Sequence, residues 1–165
     1  MDCCGLIVIG ILVVAGIWIA IAVFEKKEKK ARLEKEKEEL DTAVERAMQA
    51  MQFVPSDNDI EQSGNDYRSV SLLRFIREAA KYAATVAVLN PNSERAAYAV
   101  GSLCGAFNAI RRSLEDYGRS HTEMEIRSLH SLIDWSAPYQ HRLTDTGLYS
   151  FQYIVGYCSI LPRLT

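Results

Sequence analysis

Residues 94–117, ERAAYAVGSLCGAFNAIRRSLEDY, repeat a small side chain every four positions at Ala97, Gly101, Gly105 and Ala109. Spacing of four places these residues on one side of a helix, where a smooth surface lets a second helix approach closely. The segment before it, 66–89, carries Val70, Leu73, Ile76, Ala80, Ala83 and Ala87 at three-and-four spacing, with a matching small face at Ala79, Ala83 and Ala87. Between the two lies Asn90-Pro91-Asn92-Ser93, which stops one helix and caps the next. The pattern predicts a tight antiparallel hairpin packed through the small residues, with Leu103, Phe107, Ile110 and Leu114 filling its flanks.

Two further helices follow in the same rhythm. Thr122 with Glu125 three positions later is a capping box, opening a helix through Ile126, Leu129, Leu132 and Ile133 that Pro138 ends. The last, about Asp145 to Leu161, has Leu148, Phe151, Val155 and Cys158 on one stripe and Tyr149, Tyr153 and Tyr157 on another. No convincing period-two pattern occurs, although the aromatic and β-branched run 149–160 also suits a strand. Residues 66–165 therefore read as an all-α body, a bundle of about four helices.

Toward the N-terminus the chain changes character. Residues 55–65, PSDNDIEQSGN, have the composition of a flexible linker and mark a domain boundary. Residues 25–54 hold eight basic and eight acidic side chains, with partners such as Lys35 and Glu39 four apart, the mark of a solvated helical stalk. A candidate short coiled-coil seam runs through Leu33, Leu40, Val44, Ala47, Met51 and Val54, weakened by Lys37 in an a position. The alternative is a stalk packed on its own body through Val44, Met48 and Met51.

Residues 5–24, GLIVIGILVVAGIWIAIAVF, contain no charge. Twenty helical residues span about 30 Å, the thickness of a bilayer's hydrocarbon core, so residues 1–24 read as a transmembrane anchor. Lys26, Lys27, Lys29, Lys30 and Arg32 follow it and none precedes it, which places the N-terminus outside and the C-terminal body in the cytoplasm. Cys3 and Cys4 stand beside this segment, where thiols accept an acyl chain or join two chains by a disulfide, or simply partition near the interface.

A net charge of −2 excludes a strongly basic nucleic-acid binder, and four cysteines in 165 residues exclude a disulfide scaffold. No metal-ligand spacing, phosphate-binding glycine loop or nucleophile elbow occurs, and no cofactor is implied. The best constellation of reactive groups is Glu123, Arg127, His130 and Asp134 on one face of the third body helix, which is also how the solvated side of an amphipathic helix looks. Cys104 and Cys158 fall on apolar faces as buried thiols. The body carries ten Arg and one Lys against nine acidic residues, with Arg111 and Arg112 closing the second helix.

These features lead to a single-pass membrane-anchored helical protein that works by binding a protein partner, as adaptor, scaffold or subunit, and that self-associates through its stalk. The alternative is a membrane-tethered enzyme, or an oligomerising membrane effector, using the polar face of the third helix.

Overall fold

The structure, a computed structural model, describes residues 3–64, 66–115 and 120–163, with side chains at residue 18 and from residue 21 onward. The described chain is all helical, with six α-helices and no strand among these residues. It divides into two compact units, Met1–Asp41 and Thr42–Thr165.

The first unit is formed by α1, Cys3–Ala50, whose last turns continue into the second. Its charged stretch follows the helix rule of four: Lys30 lies 3.9 Å from Glu34, Arg32 3.2 Å from Glu36 and Lys35 3.8 Å from Glu39. All six side chains are well exposed, so each pair adds about 0.3–0.5 kcal/mol at most. Among the described residues no helix is long and apolar enough to cross a membrane. Most side chains of residues 5–24, and those of Cys3 and Cys4, lie outside the described residues.

The second unit begins earlier than composition indicates. Val44 and Met51 are buried in it, Ala47 and Val54 are half-buried, and Leu33 is exposed in the first unit. A dimer seam running to Val54 would have to uncover Val44 and Met51. The segment read as a flexible linker is ordered by local chemistry: Ser56 and Asp59 form a capping box that starts α2, Asp57–Gln62, and Pro55 and Ile60 are buried. Gly64, at φ 68°, takes the left-handed turn that a side chain disfavours.

Four longer helices build the core: α3, Tyr67–Val88; α4, Glu94–Leu114; α5, Glu123–Ser136; and α6, Asp145–Ser159. Asp66, Ser93, Thr122 and Thr144 cap their N-termini through side-chain oxygens, and a 3-10 turn over Ala137–Arg142 joins α5 to α6. Ser69 near the start of α3 bonds Glu125 near the start of α5, and Arg142 beyond α5 donates to the Val86 carbonyl near the end of α3 at 2.8 Å. These two helices are therefore parallel. Helices α4 and α6 run the opposite way, Cys104 lying over Gly147 and the Phe107 ring 5.3 Å from that of Phe151.

The hairpin of α3 and α4 forms, and Ala79 and Ala83 of α3 are buried in it, but the small-residue stripe of α4 does not make its interface. Leu103, Phe107, Ile110 and Leu114 are at most 2% exposed, as are Leu72, Leu73, Ile76, Ala79 and Ala83 of α3, the helix on which α4 packs. Ala97, Gly101 and Gly105 are exposed and Ala109 is half-buried; a Cβ built at Gly101 or Gly105 meets nothing within 4 Å. The physical reason is the size of the competing faces. Burying a Leu, Ile or Phe side chain contributes about 1.5–3 kcal/mol, whereas a glycine ridge has little to bury, so the large residues take the inside.

Close packing through a missing side chain occurs instead between α4 and α6. A Cβ on Gly147 would collide with Cys104 Sγ and stand 2.7 Å from its Cβ. The same substitution should thus have opposite signs on the two helices. Gly105→Ala should raise stability by about 0.5–1 kcal/mol by removing helical glycine entropy, and Gly147→Ala should lower it by about 1–3 kcal/mol through overpacking. Equilibrium unfolding of the two variants checks this; equal signs would contradict the packing described.

Candidate functional site

On α5 the four polar residues of the expected constellation do not converge. Arg127 Nη2 lies 2.5 Å from Glu123 Oε1, and its guanidinium stands 5.2 Å over the Phe53 ring. Phe53 is held there by its backbone N–H, which donates to Ser131 Oγ at 3.3 Å. His130 is half-buried, its Nε2 has no hydrogen-bond partner among the described residues, and Asp134 is exposed. The imidazole is thus not oriented by Asp134, and Arg127 serves to fasten the segment after α1 onto α5.

The polar cluster that does form centres on two residues that sequence assigned to no site, His121 and Tyr157. Glu125 is fully buried; its Oε1 accepts from Ser69 Oγ at 2.6 Å and its Oε2 from the Thr122 backbone N–H at 2.9 Å. His121 sets Nδ1 3.3 Å from Glu125 Oε2 and Nε2 2.7 Å from the Tyr157 hydroxyl. The Tyr157 ring meets the imidazole edge-on and stacks with Tyr153. The His121 side chain is only 5% exposed, so a substrate cannot reach this array without opening the bundle. The chemistry available to it is structural, satisfying buried polar groups that link three helices.

An accessible concavity lies between α3 and α4. A cleft of about 460 Å³ runs between α3 and α4, lined by Tyr67, Arg68, Ser71 and Phe75 from the first and Gly105, Asn108, Ala109, Arg112 and Ser113 from the second. Gly105 and Ala109 of the small-residue ridge supply its floor. Tyr67 is 81% exposed and Phe75 37%, so aromatic surface is open to a ligand. Among the described residues the lining has two cations and no acid. Neighbouring Arg111 is used internally: it pairs with Glu115, donates to Asn108 Oδ1 at 3.0 Å and covers the Tyr149 ring at 5.6 Å. Arg112, next along the chain, is exposed and makes no ion pair among the described residues. A volume in the range of about 300–1,000 Å³ with apolar walls and a few convergent polar groups is the usual form of a binding site. Among the described residues no group of three or more His, Cys, Asp or Glu is placed to hold a metal ion.

Comparisons of the chain with protein-family models, curated proteins and solved structures find no match.

The two described thiols differ in setting. Cys104 is half-buried against Gly147 and accepts from Thr144 Oγ1 at 3.5 Å. Cys158 is buried, and burial, reinforced by Asp134, pushes its thiol up from 9.0 to about 12. A raised thiol favours the folded state while it stays protonated, so this contribution is complete below pH 9 and is lost as pH rises toward 12. Since the thiolate is the nucleophile, iodoacetamide at pH 8 should leave Cys158 unmodified in the folded chain and label it after denaturation. Peptide mass mapping reads the result; rapid native labelling of Cys158 would contradict its burial.

Proposed function

We propose that this chain is a single-pass membrane-anchored interaction protein whose helical body binds a protein partner through the α3/α4 cleft. The observation that carries the reading is the cleft itself, an open concavity between α3 and α4 with aromatic walls and two arginines. A concavity that combines aromatic side chains with a few polar groups is a usual form of a binding site.

The membrane assignment rests on the uncharged run 5–24 and the basic residues that follow it. Trp18, Ile21, Val23 and Phe24, the side chains described at its end, are between 48% and 71% exposed, which suits contact with lipid better than with water. In this reading the charged stretch that follows lies in the cytoplasm with the body. The enzymatic alternative gains no support from α5, where Arg127 is committed to Glu123 and Phe53 and His130 is not engaged by Asp134.

The full chain expressed in cells should stay in the membrane pellet after alkaline carbonate extraction, and a chain lacking residues 1–24 should become extractable. Release of the full chain by carbonate would overturn the anchor.

A further inference from the structure

The proposed interaction reading identifies the cleft as a binding face but leaves its ligand chemically open. Four observations narrow it. Among the described residues its charged lining consists of Arg68 and Arg112, so the described lining is cationic although the whole chain is net negative. Arg112 is exposed and makes no ion pair among the described residues, so it is the cation this cleft offers to a ligand, while Arg68 has an interaction of its own. Phe75 and Tyr67 offer apolar contact, and Ser71, Asn108 and Ser113 offer hydrogen bonds. The floor at Gly105 has no atom within 4 Å of where a Cβ would stand, so a side chain from outside can reach the helix backbone.

Resting on the reading of the cleft as the interaction face, we propose that it receives a short acidic segment of a partner protein. A large apolar side chain of that segment sits against Phe75 and the Gly105–Ala109 floor, and a flanking carboxylate pairs with Arg112. Arginine suits this role because its planar guanidinium can grip a carboxylate with two parallel hydrogen bonds. A groove between two helices is a common seat for such a segment, the apolar anchor giving affinity and the rim charges giving selectivity.

The test is selection of a random displayed peptide library on the full chain in detergent micelles, followed by affinity measurement of the enriched peptides on two variants. Gly105→Leu fills the floor from an exposed position with room for it, and circular dichroism confirms that the variant folds. Arg112→Glu reverses the rim charge. The expected result is enrichment of peptides with Leu, Phe or Trp flanked by two or more Asp or Glu. Their affinity should fall about tenfold or more on each variant and weaken as salt is raised. Enriched peptides that are blocked by Gly105→Leu, yet are neutral or basic and indifferent to Arg112→Glu, would overturn the acidic partner and leave the cleft standing as the interface. Peptides that bind Gly105→Leu as tightly as the parent, or no enrichment at all, would overturn the cleft as well.

Discussion

A single buried carboxyl group, that of Glu125, fixes how the helices of the body meet. One of its oxygens takes the Ser69 hydroxyl of α3, the other takes the backbone N–H that opens α5, and His121 beside it reaches Tyr157 on α6. A polar group withdrawn from water without partners costs about 1–3 kcal/mol on mutational scales, so alternative packings that leave Glu125 or Ser69 unsatisfied are selected against. Apolar contacts such as Phe107 with Phe151 supply most of the burial but tolerate sliding; the hydrogen bonds do not. The N-terminal ends of α3 and α5 are thus pinned together, and Arg142 on the Val86 carbonyl pins the opposite end of α3.

With α3 held by α5 on one side, α4 can only settle against its remaining apolar stripe. It presents Leu103, Phe107, Ile110 and Leu114 inward, and Ala97, Gly101 and Gly105 are left outside, with Gly105 and Ala109 lining the cleft beside Tyr67 and Phe75. The cleft is therefore a consequence of the core: the large residues win the interior, and what remains at the surface is a groove with a glycine at its floor and arginines at its rim. Gly147 plays the complementary part, since the close fit of α4 on α6 depends on its lacking a side chain.

Local signals in the sequence carried most of the helical layout. Thr122 with Glu125 opens α5, Asn90 to Ser93 separates α3 from α4, and the observed ends of both helices lie near the expected ones, because capping and turn chemistry act over a few residues. What spacing could not reveal was which face of α4 points inward. Two stripes were available on one helix, and the choice depends on neighbours far away in sequence. The polar cluster was hidden for the same reason: His121 precedes its helix, and its partner Tyr157 lies 36 residues later. Composition alone gives the stretch before α3 the look of a linker, because the Ser56-x-x-Asp59 box and the buried Ile60 are single residues that leave the average polar. On α5 the face-sharing of Glu123, Arg127, His130 and Asp134 was legible, but periodicity does not report that Phe53 would occupy the guanidinium of Arg127.

The claim on which this account rests is that Glu125 and Ser69 act as one tie between α3 and α5. A double-mutant cycle of Ser69→Ala and Glu125→Gln, followed by equilibrium unfolding of the full chain in detergent micelles, tests it most directly. The account predicts that the two losses are not additive, with a coupling of about 1 kcal/mol or more. Losses that add to within about 0.3–0.5 kcal/mol would show that the two residues stabilise the body independently and would contradict it.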